Sequence, residues 1–273
     1  MTAARAFAVV GLVAFALVVL VPFWWIANMS FKTYEQVQFA TSIYVPRPFT
    51  WANYTALWLD TRFPLWLRNS LVTAVAVTAL TTVMASLGGY AIARLRFPGR
   101  GFVASLILVL YLVPPALLFI PLYRVLAELG ATNTLASLIL SYPTFTVPFC
   151  TWLLMGFFKG LPKEIEESAM VDGCSRAGAI WRIVLPLAVP GLLTVVIFAL
   201  TLVIQEFVYS LTFISSVQRM TVSVGVPVAL VRGDVYYWGS LMAACLVTSV
   251  PIAIVYSFFL DRFIAGFTVG AIK

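Results

Sequence analysis

The chain has 273 residues, 62% of them hydrophobic and only 10% charged, with a formal net charge of +7 and no histidine. Soluble globular chains run roughly 45–50% apolar and about 25% charged, and a mean hydropathy of +1.03 leaves far too few charges to cover this surface in water. The chain is therefore read as an integral membrane protein, and the missing histidines exclude Ser-His-Asp triads, His-ligated zinc and His-ligated haem.

Six apolar stretches follow in chain order, 6–31, 69–93, 101–123, 128–158, 183–205 and 235–260. Each exceeds the ~20 residues that carry a helix across a hydrocarbon core of about 30 Å. None shows the period-2 alternation of barrel strands, and only helices or closed barrels satisfy their backbone in lipid. The expected fold is all-α, with six transmembrane helices in one domain, 1–273.

Arg5 precedes the first stretch, as in a secretory signal, but the stretch is longer than a 7–15-residue signal core and its exit, Phe23-Trp24-Trp25-Ile26-Ala27-Asn28, is a poor small-residue cleavage site. It is read as a retained span, with the paired tryptophans in the interfacial belt. Residues 32–68 contain Pro46, Pro48 and Pro64 and read as an irregular cap over helix ends. Pro114-Pro115, Pro143, Pro148, Pro190 and Pro251 predict kinks in the later spans. The apolar run 220–231 is too short to span and is expected as a re-entrant or packed external loop.

Six spans put both termini on one face. That face, 1–5, 94–100, 159–182 and 261–273, carries 10 Lys/Arg in 49 residues, against 7 in 70 on the other face. The denser face is expected to be cytoplasmic by the positive-inside rule. The positive net charge needs no nucleic-acid partner to explain it.

The longest polar insertion on that face is 159–182. Pro162 suits a helix start, and Glu164, Glu166 and Glu167 lie near the positive end of the helix dipole. Ile165 and Ala169 are four apart and share a face. Gly173 can take the left-handed conformation that ends a helix, and Ser175 reads as the N-cap of a second short helix stopped by Pro186. The expectation is a helix–turn–helix at the membrane surface. It is either an amphipathic connector or a protein-docking element, and the acidic first turn favours a protein over anionic lipid.

Glu167-Ser168-Ala169, then Gly173, Ile183 and Leu185-Pro186, resembles the EAA loop of permease subunits in binding-protein-dependent ABC importers. Asp172 before Gly173, and Pro190-Gly191 after the Leu-Pro, are similar to the carbohydrate branch of that family. Ser30-Phe31-Lys32, Asn53-Tyr54, Tyr90-Ala91-Ile92-Ala93-Arg94, Phe97-Pro98-Gly99-Arg100, Ile120-Pro121-Leu122-Tyr123 and the terminal run 266–273 extend the likeness to the smaller, maltose-type permease subunit. Three departures stand out: Ser168 replaces the usual Ala, Cys174 a small residue, and Ile204-Gln205-Glu206-Phe207 a Trp-Asn-acid-Phe pattern.

The resemblance implies a type I importer fold with a cytoplasmic coupling loop at 159–186, in which Glu167, Ser168, Ala169, Asp172, Gly173, Ile183, Leu185 and Pro186 meet an ATPase. Ile165, Ala169 and Ile180 would fill the ATPase groove. It also implies the partners: a second permease subunit making a heterodimer, two ABC ATPases and an extracytoplasmic solute-binding protein. ATP and Mg would be bound on the ATPase, and no cofactor or metal by this chain, which would sit as a multi-pass protein in a bacterial-type inner membrane. The implied solute is a disaccharide or oligosaccharide, with a polyol or glycerol phosphate as the alternative.

Gln205 and Glu206, at the end of the fifth span, and the aromatics Trp152 and Tyr111 are the candidates for the solute path. Glu206 has an equally good reading as a loop anchor, and the aromatics as packing. No Gly-Lys dipeptide and no CxxC pair occurs, so the chain carries no phosphate-cradling loop of its own and no cysteine metal site. An ion-coupled transporter would place charges inside the spans, a membrane enzyme would need clustered catalytic groups, and a channel would not need the 159–186 loop.

Overall fold

The computed structural model describes residues 3–39 and 44–271, with side chains for 5, 7–39 and 44–259. The side chains of the terminal run 266–273 lie outside the described residues. The helices are α1 (Ala3–Ser30), α2 (Tyr34–Gln38), α3 (Ala52–Leu59), α4 (Phe63–Arg94), α5 (Arg100–Leu112), α6 (Pro115–Glu128), α7 (Leu135–Ser141) and α8 (Pro143–Gly160). Then come α9 (Lys163–Val171), α10 (Arg176–Ala179), a π-helical turn Ile180–Val184, α11 (Leu185–Leu187), α12 (Val189–Ile204), α13 (Val208–Phe213), α14 (Val222–Leu230) and α15 (Trp238–Ala271). A two-stranded antiparallel ribbon, Val231–Arg232 with Val235–Tyr236, turns through Gly233 between α14 and α15.

Among the described residues, four helices are individually long and apolar enough to cross a membrane: Phe7–Ser30, Phe63–Arg94, Leu135–Gly160 and Trp238–Phe259. The other two expected spans are broken. Arg100–Leu112 and Pro115–Glu128 meet at 98°, and Arg176–Leu187 and Val189–Ile204 at 74°. Six spans result if each bent pair counts as one. The prolines predict bends but not their size. Pro114 and Pro115 both lack the amide that would continue α5, and Val113 takes the extended conformation a following proline imposes.

The expected span 128–158 also starts late. α6 runs on to Glu128, Gly130 and Asn133 adopt positive φ, and Thr134 caps α7, so the helical rod begins at Leu135. The run 220–231 is mostly helical, as the nine-residue α14.

Two compact units are distinguishable. One joins the chain up to Leu67 with Val224–Ala253. In it, residues 7–25 of α1 are exposed on every side of a helix that is apolar all round. The cap that follows is pinned to the end of α1: the Asn53 amide donates to the Ser30 and Lys32 carbonyls at 2.9 and 2.7 Å, and the Ser30 and Tyr54 hydroxyls lie 2.9 Å apart. Thr33 and Gln36 form a capping box over α2. Burial draws the Lys32 ammonium below the usual lysine range. Trp66, fully buried, lies against Gly225 of α14.

The other unit comprises Arg68–Ser223 and the chain from Ile254. Its core is α4, α8 and α12, with Ala85, Cys150, Leu154, Phe158, Val195 and Ala199 among its buried members. Small residues let the helices approach, as membrane bundles favour. Gly89 lies against the backbone of Leu154 and Met155, and Gly191 against the Phe157 ring. A buried hydroxyl pair, Thr81 and Thr146 at 2.7 Å, ties α4 to α8.

Candidate functional site

The 159–186 loop is built as its punctuation predicts. Pro162 is the N-cap of α9, and Glu164 and Glu166 occupy the first turn. At the other end Gly173 has φ +89°, its N–H donates to the Met170 carbonyl, and the Cys174 N–H donates to the Ala169 carbonyl. This pair of bonds is a Schellman closure, which needs a left-handed residue where Gly173 stands. Ser175 then caps α10 by accepting from the Gly178 N–H at 3.2 Å. The second helix does not stop at Pro186: it passes through the π turn and ends at Leu187.

The loop's faces differ from the sequence expectation. Glu164, Glu167, Ser168, Val171 and Asp172 line a shallow exposed recess. Val171 and Trp181 are the most exposed apolar side chains of the loop, at 87% and 71%, and Ile165 is also exposed. Ala169, expected to face a partner, is buried in its own chain, while Ile180 and Leu185 pack on the core of α4, α8 and α12. The reason is helical phase: a nine-residue helix lying on a helix bundle must turn one stripe inward, and here that stripe is Glu166 and Ala169.

Glu166, which the sequence presents only as one of three acids in the first turn, is buried. Its carboxyl accepts a short hydrogen bond from the Tyr90 hydroxyl and lies 3.8 Å from Arg94 Nε, both side chains being under one-tenth exposed. Arg94 Nη2 also donates to the Leu161 carbonyl at 2.8 Å. These contacts link α9 and the root of the loop to the end of α4. Tyr90 and Arg94 are four apart on one helical face, and that spacing was the available signal.

Of the four solute-path candidates, Glu206 is engaged internally. It accepts from the Tyr142 hydroxyl at 2.8 Å and from the Tyr209 and Ser210 N–H groups at 2.8 and 3.1 Å, so it caps α13. Its carbonyl accepts from the Ser223 hydroxyl at 2.7 Å. Burial lifts the Tyr209 phenol above its ordinary range, with the Glu206 charge adding to this and a bond to Thr144 opposing it. Gln205 is exposed and takes no part in this knot. The Tyr111 ring is tilted against Phe149 with centroids 5.0 Å apart, and Trp152 is exposed on α8. These bonds suit the anchor reading of Glu206. Glu206→Gln is expected to destabilise the purified chain by about 1–3 kcal/mol, since the Gln amide N–H₂ faces donors. A wild-type thermal midpoint combined with weakened solute affinity would instead make it a solute contact.

Residues 84–269 match the family described as binding-protein-dependent transport system inner membrane component, and the chain belongs to that family. It is a transport subunit and not an enzyme. It is 35% identical to the sulfoquinovosyl glycerol transport system permease protein SmoH of Agrobacterium fabrum, over 93% of this chain and 89% of that one. It is 33% identical to the trehalose/maltose transport system permease protein MalG of Thermococcus litoralis, over 98% and 97%. The fold superposes on a chain of a bacterial ABC transporter involved in import of the acidic polysaccharide alginate, with a TM-score of 0.82 at 19% identity, covering 96% of this chain and 98% of that one. This is the type I importer permease fold.

Proposed function

We propose that this chain forms half of the pathway of an ATP-driven importer for a disaccharide or oligosaccharide. The observation that carries the reading is near full-length similarity at 33–35% identity to permeases named for glycoside and trehalose/maltose transport. A second, different permease subunit completes the pathway. Two ATPases hold ATP and Mg, and a solute-binding protein delivers the sugar from outside. The chain lies in a bacterial-type inner membrane with both termini in the cytoplasm.

On this reading the 159–186 loop docks on one ATPase. Glu167 and Asp172 offer negative charge to a basic rim, and Val171 and Trp181 offer apolar contact, with aromatic anchors the more valuable at interfaces. The helix pair is compact because Gly173 turns it sharply. Closure of the ATPases then moves the loop as a lever.

The test is to solubilise the chain mildly from its native membrane and identify what copurifies. A second permease and an ABC ATPase are expected, with ATP hydrolysis rising when a sugar-loaded binding protein is added. Recovery of the chain without an ATPase, under conditions that preserve other membrane complexes, would overturn the reading.

A further inference from the structure

A carboxyl group buried midway along a short surface helix asks for a reason, since its neighbour in the same inward stripe, Ala169, packs without one. Glu166 is the only acidic residue of α9 turned inward; Glu164 and Glu167 are exposed. Its partners lie on a single helix, Tyr90 and Arg94 of α4. Arg94 is the last residue of α4, where its charge suits the helix dipole. It also holds the Leu161 carbonyl at the junction of α8 and α9. One guanidinium therefore touches the end of the rod, the root of the loop and the loop helix.

The joint has slack. A charge-assisted N–H···O bond closes to about 2.7–2.9 Å, whereas Arg94 Nε and the Glu166 carboxyl stand 3.8 Å apart. Nε and one terminal nitrogen of Arg94 are buried and make no hydrogen bond among the described residues. The Tyr90 hydroxyl meanwhile holds the carboxyl. A shift of about 1 Å would close the ion pair, and shifts this small are the kind that packed interfaces amplify into discrete rearrangements.

The far end of α4 is tied just as specifically. The Asn69 amide donates to the Gln218 and Met220 carbonyls at 2.9 and 3.0 Å, and Ser70 accepts from the Val222 N–H at 2.8 Å. The adjoining Ser223 hydroxyl holds the Glu206 carbonyl. From Asn69 to Arg94 the helix is continuous, about 38 Å at 1.5 Å per residue. Thr81 links it to α8 on the way.

We infer that Tyr90, Glu166 and Arg94 are positioning residues forming the joint through which movement of α9 enters α4, and that α4 delivers it through Asn69 and Ser70 to the segment 218–222 beside Glu206. This rests on the loop docking proposed above. A static clamp would need only to bind; a transmitting joint must hold α9 and α4 together at one end and have a second tie at the other. Both are present.

The test uses the complete complex, with its ATPases and binding protein, in lipid nanodiscs. The three native cysteines are replaced by serine, and Gln218→Cys, an exposed position, reports through its rate of reaction with a fluorescent maleimide. ATP with vanadate is expected to change that rate at least fivefold. Glu166→Gln and Tyr90→Phe, the latter keeping the ring that packs edge-on to Phe158, are expected to cut the change below twofold. ATPase copurification and ATP hydrolysis should stay within twofold of the parent.

A full response in both variants would overturn the joint. So would a parent complex that contains its ATPase yet shows no response at Gln218→Cys. Variants that merely accumulate less, with a normal response per molecule, would assign these residues to stability and sink the inference as well. A parent complex that lacks an ATPase altogether would instead bring down the docking reading.

Discussion

Gly173→Asp is expected to abolish solute uptake while leaving the chain in the membrane at near-normal amount. Gly173 sits at φ +89°, outside the range most side chains adopt, and a left-handed conformation costs an L-residue roughly 1–2 kcal/mol. Asp tolerates it better than most, so the fold should survive. The damage is at the surface. A second carboxylate beside Asp172, at the negative end of α9, is electrostatically unfavourable and protrudes where open space now surrounds the glycine.

Copurification of the ATPase should be lost along with uptake. Gly173→Ala, with the same backbone strain and no charge, should lose much less. Equal loss in both would mean that turn geometry rather than surface charge matters. Normal uptake by Gly173→Asp would remove the loop from the docking surface.

Gly225→Ala is expected to be the most damaging single methyl in the chain. A Cβ at that position would lie 2.3, 2.6 and 2.7 Å from three atoms of the Trp66 ring, closer than real Cβ atoms come. Trp66 is only 2% exposed, so the ring has no free volume into which to swing. Overpacking of this kind costs about 1–3 kcal/mol, and the upper end applies because three rigid ring atoms obstruct the methyl. Membrane abundance and the thermal midpoint of the solubilised chain should both fall. Trp66→Leu in the same chain should restore part of the loss, because the ring is the obstruction. A wild-type midpoint for Gly225→Ala alone would contradict the packing described here.

The parts of the fold written in local chemistry were legible before any coordinates. Pro162, Gly173 and Ser175 fix the start, turn and cap of the 159–186 loop through their own backbone limits, and the structure uses all three in those roles. Charge counting located the apolar segments. What sequence periodicity could not supply was phase. Glu166 and Glu167 are adjacent and chemically alike, yet one is buried and the other exposed, because the stripe that turns inward is decided by where α4 ends. For the same reason Ala169 turns inward and Ile180 packs on the core of α4, α8 and α12.

The identity of the prolines likewise announced bends without announcing that one would reach 98°. Glu206 shows the converse limit. A carboxylate at the end of a span reads as a solute contact or as an anchor, and the anchor's partners, Tyr142 and the α13 amides, are visible only in the structure.

The corner between α5 and α6 changes what the surroundings of this chain must be. Because residue 115 is proline, the Tyr111 carbonyl has lost the amide it would meet in a continuous helix. Hydrocarbon tolerates such a group only where protein or water reaches it. The protein reaches part of the corner, since the Tyr209 hydroxyl donates to the Pro115 carbonyl at 2.9 Å. The remainder needs a wet or proteinaceous neighbour, so at residues 111–115 oil ceases to be the medium in which this chain is dissolved.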